Sequence, residues 1–446
     1  MSAPSELSPE ARRGVLVVWL VIFVDLLGFG IVLPSLAYYV HLYAVPAEIE
    51  GLGRRLGMPD TRAVFVGLLQ TAYSLMQFVF APFWGSISDR VGRRPILLLS
   101  MAGFSLAWVV FGNAPTLGWL LLARALAGAM GANISTAQAY VADVYPPERR
   151  ARGMGLIGMA FGFGFVFGPA IGALLVSDTF LGQFSAPGSP RIEQLRLWVP
   201  SMFAAALSLL AFLLGLWKLP ESLPPERRRR AAPRGRVAEL KGALSRPYVG
   251  PMLGVYFVVI LGFSGLETMF SEFNLQHLHL PASINGLVFT AIGVSMAVVQ
   301  GGLVGPWSER LGAPRLLQIG LFALAVAMAI FGLQVELNPG ISPTVWVGLV
   351  SILVGASFSF CNPTLLGILS GLSSKDAQGE AMGITVSAAT LGRIAGPLIG
   401  GLVYARVGPE WPFVLGAALV ALAGLLLWAN RPGLVRALSS LVAPSP

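Results

Sequence analysis

Apolar runs of about 20 residues follow one another along nearly the whole chain, each long enough to cross ~30 Å of hydrocarbon as a helix. Twelve are expected, near residues 15–37, 64–84, 95–113, 118–141, 153–177, 197–217, 248–270, 282–304, 315–333, 344–371, 382–405 and 412–430. Only 11% of the 446 residues are charged, where a soluble domain carries roughly 25%. The 53 glycines suit helices that approach closely in lipid. An all-α membrane protein with no soluble domain is expected.

Lysine and arginine favour cytoplasmic loops. With the N-terminus inside, 22 of the 30 basic residues fall on the cytoplasmic side, nine of them between Lys218 and Arg246. The outer segments hold Arg54, Arg55, Arg62, Arg191, Arg196 and Arg406; Arg124 and Arg393 fall inside helices. Both termini are therefore expected in the cytoplasm. The net charge of +9 reads as this topology signal, and no basic soluble domain for nucleic acid exists. Arg12 and Arg13 precede an apolar run as in a signal peptide, but that run is long and contains Asp25, so it is expected to stay as helix 1. The one cysteine, Cys361, lies within an apolar run and can form no intramolecular disulfide.

Between the second and third runs stands Gly85-Ser-Ile-Ser-Asp89-Arg90-Val-Gly92-Arg93-Arg94, and a degraded copy recurs at Gly305-Pro-Trp-Ser-Glu309-Arg310-Leu-Gly312. The spacing fits a tight basic turn joining two membrane helices. Further matches pair Gly28 with Gly262, Asn133 with Asn362, and Gly164 to Gly172 with Gly392 to Gly400, at offsets of 234, 229 and 228. Two pseudo-symmetric six-helix halves are expected at 1–217 and 248–446, joined by a cytoplasmic linker at 218–247. Repeats of this kind place a substrate site at their interface near the bilayer midplane.

These residues resemble the major facilitator superfamily over nearly the full length. The basic turn is similar to that superfamily's signature, and Leu121 to Gly131 resembles its helix 4 motif. Gly164-x-x-x-Gly168-Pro169-x-x-Gly172 resembles the helix 5 motif associated with antiporters. Asp25-Leu-Leu-Gly28-Phe29-Gly30-Ile-Val-Leu-Pro34 resembles the helix 1 motif of twelve-helix drug:proton antiporters. The run from Glu148 through Pro169 is most similar to the tetracycline-efflux branch. The resemblance implies a secondary active transporter, exporting a lipophilic molecule or drug in exchange for protons by alternating access. It also implies helices 1, 4, 7 and 10 around a central cavity. At the cytoplasmic gate it implies Asp89 at the N-terminus of helix 11 and Arg93 bridging to Asp143. A bacterial inner-membrane monomer, with a small molecule, protons and the bilayer as partners, is expected; no cofactor or metal is.

Charges at membrane depth are functional candidates. From the helix ends, Asp25 lies roughly 16 Å deep and Arg124 roughly 12 Å from the other side, so the two are expected to share a level and to act in proton coupling. A nearby cation favours the ionised carboxylate and loss of water opposes it. The alternative is a fixed ion pair that orients helices. At 100° per residue Arg124, Gly128, Gly131, Ser135 and Gln138 form one stripe, either facing the cavity or packing on a neighbouring helix. Tyr256, Phe263 and Glu267 align on helix 7, as do Ser351, Gly355, Phe358 and Asn362 on helix 10. With Phe29 these aromatic and polar groups suit a ring-containing ligand, though an aromatic stripe also serves packing. Glu267 is either a second titratable site or a vestibule residue. Arg393, on helix 11, is expected to be structural or gating. Gly85, Gly92, Arg94, Glu309 and Arg310 complete the gate set.

Other classes find little support. No Gly-x-x-x-x-Gly-Lys-Ser/Thr phosphate loop occurs. His41, His277 and His279 are expected in outer loops without a cluster for metal, and no nucleophile–base pair for an enzyme is apparent. A proton symporter for a sugar or other metabolite, and a non-transporting membrane receptor, are the alternatives.

Overall fold

A computed structural model describes residues 8–146, 149–186, 188–228, 248–372 and 378–442. Within them the chain is helical, and twelve helices are long and apolar enough to span a membrane. They are α1 (Pro9–His41), α2 (Arg62–Val91), α3 (Arg93–Gly112), α4 (Leu117–Val144), α5 (Arg152–Leu175) and α6 (Pro190–Lys218). There follow α7 (Val249–His277), α8 (Ala282–Gly302), α9 (Ala313–Gly332), α10 (Pro343–Gly371), α11 (Gly383–Arg406) and α12 (Trp411–Leu438). Most of the basic linker, 229–247, and Lys375 lie outside the described residues.

The expected spans differ from these mainly at the ends, where hydropathy stops but the helix continues on polar residues. Ser8 caps α1 by accepting from the Ala11 N–H, with Pro9 at the first helical position, so α1 starts earlier than its apolar run. His41 and His277 are the last residues of α1 and α7 and not loop residues. The basic turn is likewise shorter than expected. Residues 85–91 continue α2, and the chain reverses at Gly92 alone. Its φ of 109° is closed to most side chains, and the repeat solves the same corner with Gly312 at 78°. Two helices are interrupted: α1 has a tighter turn at Leu33–Ser35 and α4 at Gly131–Asn133.

The chain forms two compact units interleaved in sequence. The first takes residues 1–44, 72–233 and 281–290, the second 45–71, 234–280 and 291–446. In the first unit α5 lies on α1 through its glycines. A side chain at Gly164 would meet Leu26, at Gly168 the Gly30 backbone, and at Gly172 the Ile31 carbonyl. The first residues of α8 join this unit, with Gly286 against Pro169 and Ala173. In the second unit α11 lies on α7 in the same manner, Gly392, Gly396 and Gly400 facing residues 257–269. The first residues of α2 join it, with Gly67 against the Pro397 carbonyl and Gly401 against Ala63. Small residues serve this contact because backbone dispersion and polar contacts, not hydrophobic exclusion, hold helices together in lipid.

Candidate functional site

In the first unit the interruption of α4 carries the buried polar centre. Asn133, fully buried in the tight turn, donates from Nδ2 to Asp25 Oδ2 at 2.8 Å. Asp25 itself is 7% exposed. Asn133 Oδ1 is buried with no hydrogen-bond partner among the described residues. The amide thus keeps an acceptor beside the carboxylate as well as the donor in use.

Arg124 does not face Asp25, contrary to the depth count. Nine residues, or roughly 13 Å of helix, separate Arg124 from the Asn133 that meets Asp25. Counting inward from assumed helix ends is too coarse to align them, since the helices overrun their apolar runs by unequal amounts. Arg124 is 1% exposed, with its guanidinium carbon 4.5 Å from the Tyr73 ring centre and 5.7 Å from that of Phe29. Those rings lie 5.4 Å apart, and Phe165 closes on Phe29 at 6.1 Å. The negative faces of aromatic rings attract a desolvated cation.

The small and polar stripe of α4 divides. Its glycines pack on α2: a side chain at Gly128 would strike the Tyr73 backbone, and Gly131 accepts from Gln77 Nε2 at 3.2 Å. Ser135 donates to the Ala81 carbonyl at 3.3 Å yet remains exposed, as does Gln138. Close packing therefore accounts for the glycines, while the two polar residues beyond the interruption stay accessible.

The basic turn builds a network around Arg93. Its guanidinium meets Asp89 at 2.5 Å, Asp143 at 3.2 Å and Ser88 Oγ at 2.7 Å. Asp143 accepts also from Ser222 at 3.1 Å. The free N–H groups opening α3 find the Glu221 carboxylate, 2.8 Å from the Arg93 amide and 3.2 Å from that of Arg94. An anion there meets unpaired donors and the positive end of the helix dipole. Asp89 is thus engaged by Arg93, four residues on; residues 373–377, which precede the helical turn leading from Gln378 into α11, lie outside the described residues. Arg90, Glu309 and Arg310 are exposed. Ser88 and Glu221 carry this network without having been singled out in the sequence, where Glu221 stands as an acid just after α6 at the start of an arginine-rich segment.

In the second unit Tyr256 Oη donates to Asn362 Oδ1 at 2.9 Å, joining α7 to α10. The Phe263 and Phe358 rings stack with centres 3.8 Å apart and planes 17° apart. Glu267 lies on the same face of α7 as Tyr256 and Phe263. Asn133 and Asn362, matched in the repeat, each bind a polar group of the helix opposite.

The Major Facilitator Superfamily model matches residues 18–365 and 252–441. Major facilitator superfamily domain-containing protein 10 of Homo sapiens is 30% identical, covering 95% of this chain and 94% of its own. The class C tetracycline resistance protein of Escherichia coli is also 30% identical, covering 92% and 95%. The crystal structure of the human organic anion transporter MFSD10 (TETRAN) superposes with a TM-score of 0.67 at 27% identity, over 94% of this chain and all of that one.

Proposed function

Because the chain belongs to the major facilitator superfamily of membrane transporters and not to an enzyme family, we propose that it exports a lipophilic small molecule in exchange for protons by alternating access. The observation that carries this reading is the state of Asp25, a carboxylate buried in a spanning helix and held by a neutral amide. An acid clamped by arginine would stay ionised throughout a transport cycle. An acid held by Asn133 keeps a partner in either state: the ionised form accepts from Nδ2, and the protonated form can donate to the idle Oδ1. Such an acid is suited to loading and releasing a proton at a depth where a permanent charge is costly.

In this reading Arg124 is a locked structural cation set apart from the coupling acid, against Tyr73 and Phe29. Within the first unit Phe29, Ser135 and Gln138 are cargo-contacting residues, and within the second Tyr256, Phe263, Glu267, Phe358 and Asn362 are. The network of Asp89, Arg93 and Asp143 belongs to the cytoplasmic gate, and Gly164, Gly168, Pro169 and Gly172 to the antiporter motif. The basic-residue bias supports cytoplasmic termini, and the reading sets the protein in a bacterial inner membrane. The protein acts as a monomer with the two six-helix halves, 1–217 and 248–446, as its moving parts. The resistance proteins among the relatives support a drug-like cargo, with tetracycline the first compound to test.

The test is gradient dissipation. Wild-type protein in liposomes with an imposed pH gradient is offered a panel of lipophilic drugs, and proton release is followed by a trapped dye. Coupled release by at least one compound is expected. Compound movement that leaves the gradient untouched would contradict proton exchange.

A further inference from the structure

Arg124 and Arg393 both interrupt the apolar run of a spanning helix, and the structure treats them oppositely. Arg124 is buried between aromatic rings, whereas Arg393, midway along α11, is exposed. A guanidinium in a spanning helix is tolerated where it faces protein interior or water. The packing of α11 fixes its direction. Gly392, Gly396 and Gly400 lie on α7, while the Ile394 carbonyl accepts from Thr71 of α2 at 3.0 Å and Pro397 and Gly401 meet Gly67 and Ala63. At 100° per residue Arg393 falls between these two contacts, so it leaves α11 on the inner side of the unit.

That side carries the face of α7 formed by Tyr256, Phe263 and Glu267. Gly392, the residue before Arg393, packs on Phe257, Ile260 and Leu261 of α7, between Tyr256 and Glu267, which stand eleven residues or roughly 16 Å apart along that helix. Arg393 therefore leaves α11 at a level between them, near that of Phe263, which stacks on Phe358. Among the described residues no hydrogen bond or direct ion pair joins Arg393 to a carboxylate. A planar fork of donors beside a flat aromatic pair is what an aromatic carboxylate would meet best: ring on ring, anion on guanidinium.

We propose that Arg393 is the specificity-determining residue of the cargo site. It takes an anionic group of an aromatic substrate while the Phe263–Phe358 pair takes its ring, and Glu267 competes as the internal carboxylate. This rests on the reading of that face as part of the cargo path. It concerns which cargo is chosen, and leaves proton coupling with Asp25.

The experiment uses full-length protein in nanodiscs with radiolabelled 1-naphthoate, 1-naphthamide and 1-naphthylmethylamine, one ring bearing an anion, a neutral group or a cation. Wild type is expected to bind naphthoate about tenfold more tightly than naphthamide, the scale of one charge-assisted pair. Arg393→Gln is expected to abolish that preference, Arg393→Lys to restore part of it, and Glu267→Gln to tighten naphthoate binding severalfold. Monodisperse elution of all three variants separates these effects from misfolding, and Glu267→Gln gives a gain that damaged protein cannot mimic. Equal binding of all three probes, no binding of naphthoate, preference for the amine, or a preference for naphthoate unchanged in Arg393→Gln would each overturn the assignment. A parallel flux assay keeps the two readings apart. Arg393-dependent naphthoate binding without pH-driven flux would sink proton exchange and leave the anion site standing. Gradient-driven flux of the amide or amine with no naphthoate preference would do the reverse.

Discussion

At the scale of single residues, the buried cation of the first unit lies against two rings. Tyr73 contributes the nearer face at 4.5 Å, and its backbone is also the surface on which Gly128 rests. Tyr73→Phe keeps that face, while Tyr73→Leu removes it. Loss of a desolvated cation–π contact is worth about 2 kcal/mol. Thermal unfolding in detergent should therefore show a clear drop in melting temperature for the leucine variant and little change for phenylalanine. Equal melting of the two variants would mean that another contact carries Arg124. The charged residues themselves were plain in the sequence, because a charge in an apolar run has no other reason to stand out. Their partners were not. Asn133 was visible as a repeat match to Asn362, yet only the interruption of α4 shows why it reaches Asp25. Arg124 was mispaired because its depth was counted from assumed helix ends; it lies against aromatic faces.

At the scale of helices, glycines divide into those that hold a crossing and those that face open space. Gly168 would press a side chain into Gly30 and the Leu27 carbonyl, whereas Gly158 has nothing within 4 Å. Leucine at position 168 must force α5 away from α1, and overpacking of this kind costs about 1–3 kcal/mol or more. Alanine at 158 adds helix propensity of up to about 1 kcal/mol with no clash. The expected result is a marked loss of thermal stability for Gly168→Leu and none for Gly158→Ala; similar behaviour of the two would refute the crossing. Helix existence was readable because twenty apolar residues in a row admit little else. Helix ends were less so, since caps such as Ser8 and the continuation of α2 through Asp89 to Val91 depend on polar residues that hydropathy discards. The glycine motif of α5 was readable as a contact, but periodicity does not name the helix it touches.

At the scale of the whole molecule, two claims remain to be tested: its orientation and its coupling. Cys361 is fully buried, so introduced cysteines can be read without removing it. Arg90 and Arg191 are both exposed, one at the basic turn and the other at the start of α6. In intact cells a membrane-impermeant maleimide should label Arg191→Cys and spare Arg90→Cys until the membrane is opened. The opposite pattern would invert the topology drawn from the arginines.

The coupling claim turns on one carboxylate whose amide partner is suited to both of its protonation states. Asp25→Asn keeps shape and hydrogen bonding but can carry no proton in exchange. The direct measurement is uphill export by this variant in proteoliposomes under an imposed pH gradient, alongside downhill exchange of the same compound without one. The expected result is uphill export at background level with downhill exchange retained. Uphill export at the wild-type rate would contradict the assignment of Asp25 as the coupling acid.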